Sequence, residues 1–305
     1  MDKRRTISKD LVLVFGDRED GVIGIPEKTS DGFVIEASYF FGKKYPKNII
    51  AISSQAGCPM RCHFCELGAE RFGRNLTPQE MLDQVHLVLE EAARYGFDER
   101  LPHKISIANS GEPLFNPNLI TAIEQIGGLP KTIKISTVFP ETRTALDNFE
   151  RLAEYAGAHP VPIIQIQISL ISTSESYRRR TAGLAAAGFH TIRDAAVLWR
   201  KENPHGRKIN LSLMLARDIP CSARDAVSLF PSDLFRIRLR PYVETKHGRD
   251  ERLISLSLEE RHALKGEFSA AGYEVDDYPI PTPTESKFDL VANGIRQKYL
   301  SMIHH

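Results

Sequence analysis

The amino-acid sequence predicts an α/β fold built around a parallel sheet, and two observations carry that prediction. From residue 49 onward, short apolar runs typical of buried strands alternate with longer segments whose apolar residues recur at helical spacing. There are six such units, and helices that connect successive strands imply that the strands run parallel. Residues 1–48 are instead rich in strand and turn signals. We therefore expect a short N-terminal β extension over 1–48 and an α/β part over 49–305.

The individual elements follow in chain order. In the extension, a strand is predicted at 11–15 and a hairpin at 22–26 and 33–37, around the turn residues 28–32. Thr77-Pro78-Gln79-Glu80 has the pattern of a helix start, with a threonine N-cap, proline at the first position and a capping-box glutamate. Strands are predicted at 49–52, 104–108, 132–136, 163–170, 209–215 and 235–239. Further helices are predicted at 119–126, 141–155, 193–201, 223–229 and 258–271. An extended stretch at 279–284 precedes a last helix near 290–299.

Composition limits the classes of function. The hydrophobic fraction of 42% and the charged fraction of 26% are those of an ordinary globular protein. Lys and Arg number 40 against 39 Asp and Glu, so no bulk positive field attracts nucleic acid, although a local basic patch would still do so. No apolar run is long enough to span a membrane, and the N-terminus lacks a signal-peptide pattern. We expect a cytoplasmic protein.

Three of the four cysteines lie in one short segment, Cys58, Cys62 and Cys65, spaced C-x3-C-x2-C. Three thiolates on one loop can hold three irons of a [4Fe–4S] cluster and leave the fourth iron open to another molecule. A zinc site that adds His63 or Cys221, and a chance cluster of core cysteines, are the competing interpretations. A disulfide framework is disfavoured because the cysteines are few for the length of the chain. Gly57 and Pro59 favour a turning backbone, and iron–sulfur binding is the preferred interpretation.

The same segment resembles the cluster loop of radical S-adenosylmethionine (SAM) enzymes, including the aromatic Phe64 before the last cysteine. Residues 53–58 and 71–77 narrow the resemblance to the RlmN/Cfr group, which methylates adenine C2 or C8 in RNA. The resemblance implies an incomplete (β/α)6 barrel of the TIM type, with SAM chelating the open iron. It further implies an external reductant such as flavodoxin or ferredoxin, and reductive cleavage of SAM to a 5′-deoxyadenosyl radical that abstracts a substrate hydrogen.

Chemistry in such barrels gathers at the carboxyl ends of the strands. Asn109-Ser110-Gly111-Glu112-Pro113 follows the second strand and is similar to the family's GEP motif, which implies that Gly111, Glu112 and Pro113 receive the amino end of SAM. The resemblance also implies that Ser136 and Ser169 line the SAM site and that Phe64 packs beside the adenine. Taken singly, the serines fit ordinary strand-end caps almost as well, and Phe64 fits simple core packing.

The chain departs from the RlmN/Cfr pattern in two ways. We expect the small helical RNA-binding domain of that group to be missing from the N-terminal stretch. Of the two further cysteines that the group uses for methyl transfer, one position falls at Ala51 and the other near 291–294, where no cysteine occurs. Without a thiol, the covalent intermediate of that methyl transfer cannot form. The sequence therefore predicts no C2 or C8 methylation of RNA.

Three functions stay open. The leading one is a radical SAM enzyme that acts on a small molecule, with a nucleoside or nucleotide as the first candidate class. The second is an RNA-modifying enzyme of the RlmN/Cfr type, with nucleic acid the less favoured partner, and the third is a non-catalytic iron–sulfur or SAM-binding protein. Cys221, after the predicted strand 209–215, is either a helix-entry cysteine without a role or a hydrogen-atom donor to a substrate radical.

Overall fold

The computed structural model describes residues 7–8, 15–17, 21–42, 45–69, 71–245, 252–278 and 294–303. Eleven strands in these ranges form one sheet, in the order β1-β3-β4-β5-β8-β9-β10-β11-β12-β13, with β2 beside β3. A separate two-stranded sheet joins β6 to β7. The strands are β1 (Ile7–Ser8), β2 (Phe15–Asp17), β3 (Val22–Thr29), β4 (Val34–Phe41), β5 (Asn48–Ile52), β6 (Gln55–Ala56), β7 (Arg74–Asn75), β8 (His103–Ile107), β9 (Thr132–Thr137), β10 (Ile163–Ile171), β11 (Ile209–Leu215), β12 (Phe235–Pro241) and β13 (Val275–Asp277).

The N-terminal hairpin is part of the same sheet as the rest of the fold. β3 and β4 pair antiparallel, with Val22 opposite Phe40, and β4 then pairs antiparallel with β5. The predicted hairpin is confirmed. The first four residues of the strand predicted at 11–15, and the extended stretch predicted at 279–284, lie outside the described residues.

The six strands β5 and β8 to β12 run parallel, and β13 extends them in the same direction. Helices connect them: α1 (Pro78–Arg94), α2 (Leu119–Ile126), α3 (Arg143–Ala158), α4 (Glu175–Ala182), α5 (Phe189–Glu202), α6 (Ala223–Leu229) and α7 (Leu258–Ala270). A last helix, α8 (Ile295–Ile303), follows β13. This is the α/β fold with a partial barrel that the sequence predicts. None of the helices formed by the described residues is both long and apolar enough to cross a lipid bilayer.

The predicted helix starts agree with the local capping chemistry. Thr77 caps α1 through the Glu80 backbone N–H, and the Glu80 side chain accepts from the Thr77 N–H, which completes the capping box. Ser257 caps α7 with a second capping box, and Ser222 caps α6 through the Asp225 backbone N–H alone. Several elements have no counterpart in the prediction: helix α4, which is rich in arginine, and the short strands β1, β6, β7 and β13.

Five of the six parallel barrel strands, β8 to β12, present an apolar face to the helices and a polar face to the barrel interior, whereas β5 is apolar from Ile49 to Ile52. In β9, Ile133 and Ile135 are fully buried in the main core, whereas Lys134 and Ser136 alternate with them and point the other way. The alternation repeats in β10 and β12, so the barrel interior is lined by polar and basic side chains rather than by a second apolar core. This interior bears on the choice of substrate.

Candidate active site

The cysteine segment begins at the carboxyl end of β5 and is fixed at its base by the small sheet. Gln55 pairs with Asn75 and Ala56 with Arg74, so the residues just before and just after the cysteine segment lie side by side. Gly57 follows with a φ of +75°, and a Cβ atom there would lie 2.4 Å from the Arg71 carbonyl oxygen. Only glycine satisfies both the backbone angle and this close approach.

The three cysteines of the segment lie in one small cluster of buried residues that also contains Met60 and Phe64. Cys62 is 6% exposed, whereas Cys58 and Cys65 are half-buried. Burial raises the pKa of the Cys58 thiol to about 12. Burial, and then the neighbouring Cys65 and Cys58, raise the pKa of Cys62 well above its usual value. Thiols in such a place are poor nucleophiles, and a metal would have to displace their protons on binding.

Three thiols on one loop form a donor set that fits an iron–sulfur cluster. Within the described ranges, no group of three or more His, Cys, Asp or Glu side chains is placed to hold one metal ion. Each cysteine of a cubane cluster binds a different iron, so three sulfurs can face one cavity without meeting at a point. Cys58, Cys62 and Cys65 are therefore the residues that could hold a [4Fe–4S] cluster.

Helix α4 supports the segment from one side. The His63 backbone N–H donates to the Thr181 carbonyl at 2.9 Å, and the Cys62 thiol donates to the Ala182 carbonyl at 3.5 Å. Gly183 ends the helix at a φ of +92°. The last turn of a helix absent from the sequence prediction thus sets the position of the middle cysteine.

Gly111 and Glu112 lie against the start of the cysteine segment. A Cβ atom on Gly111 would be 2.6 Å from the Gln55 Cβ, and the Glu112 backbone N–H donates to the Gln55 side-chain oxygen at 2.8 Å. Pro113 begins a short 3-10 helix over Pro113–Phe115. The structure therefore brings the predicted GEP residues beside the predicted cluster loop.

The Glu112 carboxylate, 2% exposed, is held by three donors. It accepts from the Thr137 hydroxyl at 2.5 Å, from the Val138 backbone N–H at 2.8 Å and from the Leu114 backbone N–H at 3.1 Å. Burial raises its pKa to about 7, against the lowering effect of these hydrogen bonds. Glu112 thus joins the end of β8 to the end of β9, a structural role beyond the SAM contact that the resemblance implies.

Arg178 completes this network from α4. Its guanidinium is fully buried and donates to the carbonyls of Val138, Ser169 at 2.5 Å and Ala187 at 3.2 Å. Burial lowers its pKa to about 10, while the nearby Cys62 and Glu112 act in the opposite direction. Val138 is therefore held at its N–H by Glu112 and at its carbonyl by Arg178.

Arg178 lies in a run of three arginines that the sequence favours as a solvated face, yet it alone of the three is fully buried. The signal that could have found it is the helix itself. Ser174 caps the helix through the Tyr177 N–H, Glu175 occupies the first turn and Gly183 follows the last.

The remaining predicted SAM-site residues lie near the same strand ends. Ser136, in β9, pairs with Gln167, and its buried hydroxyl has no hydrogen-bond partner among the described residues. Ser169 lies at an irregularity of β10, where its carbonyl accepts from Arg178. Phe64 packs in the cluster of buried residues around the cysteines.

Cys221 is not brought together with the other three cysteines. It packs at the edge of the main core, and it lines a depression next to α7 with Leu264 and Glu267. Burial raises the pKa of its thiol to about 12, and Glu267 adds to the effect. Its suggested part in catalysis stays a prediction.

Comparison with known proteins places this arrangement in a family. Residues 52–204, half of the chain, match the Radical SAM superfamily. The chain is 30% identical over 227 residues to a "Probable dual-specificity RNA methyltransferase RlmN" of Microcystis aeruginosa, covering 70% of this chain and 60% of that protein. It is 26% identical over 254 residues to the "Dual-specificity RNA methyltransferase RlmN" of Halorhodospira halophila, covering 76% of this chain and 68% of that protein.

Among solved structures, a radical SAM methyltransferase from Sphaerobacter thermophilus has the same fold. Its TM-score is 0.73 at 20% identity, and the match covers 90% of this chain and 77% of that one. The chain spans about 60% of the length of the first curated relatives that it matches. By its matched region and its fold, this chain belongs to the radical SAM superfamily, whose enzymes use a [4Fe–4S] cluster and SAM, and its relatives are RlmN-like.

Proposed function

We propose that this chain abstracts hydrogen from a small-molecule substrate, with a nucleoside or nucleotide as the first candidate class, and that it does not methylate C2 or C8 of adenine in RNA. The observation that carries the proposal is a contrast. The cysteine segment and the Gly111-Glu112 turn are present, whereas Ala51 stands where the RlmN/Cfr resemblance requires a cysteine.

In this proposal, Cys58, Cys62 and Cys65 hold the cluster, and Gly111, Glu112, Pro113, Ser136, Ser169 and Phe64 bind SAM. When bound, the two cofactors supply reductive cleavage of SAM to a 5′-deoxyadenosyl radical, with the electron delivered by an external reductant. The protein's own contribution is to fix the three thiols, to keep water from the buried side of the site and to orient the sulfonium ligand. Glu112 and the unpartnered Ser136 hydroxyl offer acceptors at the strand ends where an ammonium group can be received.

In this proposal, methyl transfer to RNA adenine is absent because of the number and positions of the cysteines. Ala51 is buried in β5, and an alanine side chain carries neither a nucleophile nor a leaving group. The sequence contains four cysteines, three of which are committed to the cluster in this proposal. The fourth, Cys221, packs beside α7 rather than with the other three.

A second candidate is an RNA-modifying enzyme of the RlmN/Cfr type, which is favoured by the relatives described as RNA methyltransferases. Two tests separate the candidates. Protein reconstituted with iron and sulfide, then given dithionite and SAM without oxygen, should form 5′-deoxyadenosine. The same protein, given labelled SAM with ribosomal or transfer RNA, should yield no methyladenine. Methyladenine in the RNA would overturn the leading proposal in favour of the second.

The cluster assignment is tested with matched cysteine variants. Cys58→Ala should lose bound iron and all 5′-deoxyadenosine, because a cluster with only two protein ligands is not retained. Cys221→Ala should keep the same iron and sulfide content as the natural chain. If both variants bind equal iron, or if tetrahedral zinc is found instead, the proposal fails. The hydrogen-donor hypothesis for Cys221 is tested by the same variant, since it requires that SAM cleavage persist while product is lost.

A further inference from the structure

The barrel interior contains a concentration of positive charge that the proposed radical chemistry does not use. On β8, Lys104 and Ser106 alternate with the buried Ile105 and Ile107, and Ser106 is the direct neighbour of Lys134 on β9. On β12, Arg238 and Arg240 alternate with the buried Ile237 and Leu239. By this alternation all four basic side chains point away from the helices and into the barrel.

These side chains meet across the barrel rather than along one strand. In the sheet, β10 and β11 separate β9 from β12. Nevertheless, burial and then the nearby charges of Arg238 and Arg240 lower the pKa of Lys134 to about 7. Burial, then Lys134 and further on Arg238, lower the pKa of Lys104 to about 8. Arg238 also donates to the Gln167 side chain at 2.8 Å, and Gln167 pairs with Ser136 of β9, so side chains from opposite walls of the barrel share one space.

The positive charges in this space are not balanced by the described part of the chain. The Lys134 side chain is 9% exposed, and its ammonium makes no hydrogen bond or ion pair with another described residue. Arg238 donates to the Gln167 side chain at 2.8 Å, but its Nε has no hydrogen-bond partner. The acid beside Arg238 is Asp276, at 3.7 Å, and the same carboxylate accepts from Arg236 at 2.7 Å.

Unpartnered hydroxyls and an aromatic ring complete the space. The buried hydroxyls of Ser106 and Ser136, on the same face as Lys134, have no hydrogen-bond partner among the described residues. The Tyr278 ring lies 4.5 Å from the guanidinium of Arg238 and 5.0 Å from that of Arg240. A buried, unpartnered cation is costly, and a net charge of only +1 for the whole chain shows that the excess is local.

We propose that the barrel interior binds a phosphate group of a small substrate, contacted by Lys134, Lys104 and Arg238 and by the hydroxyl of Ser106. A phosphate monoester carries close to two negative charges and three acceptor oxygens, which suits several converging donors better than the single charge of a carboxylate. Arg240, at the exposed end of the same face, lies where an anion would enter.

The proposal rests on the proposed function in one respect, the assumption that the substrate is a small molecule. It refines that assumption, because it favours a nucleotide over a nucleoside. An internal phosphodiester of RNA carries one negative charge per phosphate and would have to thread its chain past the opening to reach Lys134. The depth of Lys134 therefore favours the small phosphate ester.

The test measures binding of inorganic phosphate, adenosine monophosphate and adenosine to the full chain by calorimetry. We expect adenosine monophosphate to bind at least tenfold more tightly than adenosine, and inorganic phosphate to compete with it. Lys134→Met should weaken binding of the monophosphate at least tenfold. Lys131→Met, an exposed lysine just before the same strand, should leave it unchanged.

Unfolding without ligand provides the second readout. Because the Lys134 ammonium has no partner in the described structure, Lys134→Met should unfold at the same or a higher temperature than the natural chain. If Lys134→Met destabilises the apo protein, or if adenosine and its monophosphate bind equally, the proposal is overturned. Should Lys134→Met fail to fold, Lys104→Gln supplies the binding test instead, and unchanged binding of the monophosphate by that variant would overturn the proposal.

Two further measurements distinguish this proposal from RNA binding and from the proposed function. If a short single-stranded RNA binds through Lys134 while adenosine monophosphate does not, the small-molecule hypothesis is overturned in favour of a nucleic-acid substrate. Iron content and 5′-deoxyadenosine formation from SAM alone should be the same in Lys134→Met and the natural chain. A chain that binds the monophosphate but cleaves no SAM would refute the proposed function and leave the anion site standing.

Discussion

Replacement of Arg178 by methionine tests whether the buried network holds the candidate site together. Arg178 is fully buried, and its donors bind the carbonyls of Val138, Ser169 and Ala187. Methionine has a side chain of similar length to arginine but is apolar. The substitution therefore removes the donors and the charge while most of the volume stays filled. The buried carbonyl groups at the ends of β9 and β10 then lose the donors that Arg178 supplies.

The size of the effect can be worked from these contacts. Loss of three hydrogen bonds from a charged donor removes roughly 1.5–3 kcal/mol each. Relief of burying the charge, which lowers the pKa of Arg178 from 12.5 to about 10, returns about 3 kcal/mol. We therefore expect a net loss of about 1.5–6 kcal/mol in the free energy of unfolding. For a chain of this size, that corresponds to a fall of roughly 2–9 °C in the unfolding temperature.

The neighbouring Arg179 is a matched control on the same helix. Its side chain is 47% exposed, and it pairs with Glu175 at 3.3 Å and with Glu141 at 3.9 Å. A solvent-exposed pair of this kind contributes about 0–1 kcal/mol, so Arg179→Met should unfold close to the natural chain. Urea unfolding followed by circular dichroism gives the free energies, and iron content after reconstitution reports the effect on the cysteine segment. Equal losses in the two variants, or full iron binding by Arg178→Met, would refute the reasoning.

Two further predictions concern the glycine turn and a buried acid. Gly57→Ala should bind markedly less iron on reconstitution, since the new Cβ would meet a carbonyl oxygen at 2.4 Å, while Gly128→Ala, with open space around it, should bind as much as the natural chain. Burial raises the pKa of Glu36 from 4.5 to about 7, so the folded chain retains a proton that the unfolded chain releases. The Glu36 contribution to stability is therefore complete below pH 4.5 and falls by about 3 kcal/mol as the pH rises to about 7. Urea unfolding across this range should show that the free energy of unfolding declines less with pH for Glu36→Gln than for the natural chain. The control Glu150→Gln, at an exposed position, should decline as the natural chain does. Parallel profiles of Glu36→Gln and the natural chain would contradict the assignment.

The elements that local chemistry determines were predictable from sequence. Helix α2 and strand β11 have the predicted bounds, because Gly127 follows the helix at once and a seven-residue run of Ile, Leu and Met with two polar residues forms the strand. The start of α1 was fixed by the capping residues alone. Helix α4 was not predicted, since its sequence Glu-Ser-Tyr-Arg-Arg-Arg-Thr-Ala has too few apolar residues to show helical spacing.

The contacts that build the candidate site come from distant parts of the chain. Glu112 binds Thr137, 25 residues later, and Arg178 reaches back 40 residues to Val138. Such pairs follow from strand order and from the level at which neighbouring strands end, neither of which a single sequence states. The motif identified the cysteines and Glu112, while their supports became visible only in three dimensions.

The supports of the cysteine segment and the basic lining of the barrel interior are separate, so each can vary without the other. The cysteine segment is held from outside the barrel, by α4 through Cys62 and by Glu112 through the ends of β8 and β9. The basic interior is formed by the middle of the strands, where Lys134 and Arg238 have no hydrogen bond to that network. A change of lining residues in the barrel therefore leaves the supports of the cysteines in place. We infer that a scaffold of this type can keep its cysteine segment and the supports of that segment while the residues that line the barrel change.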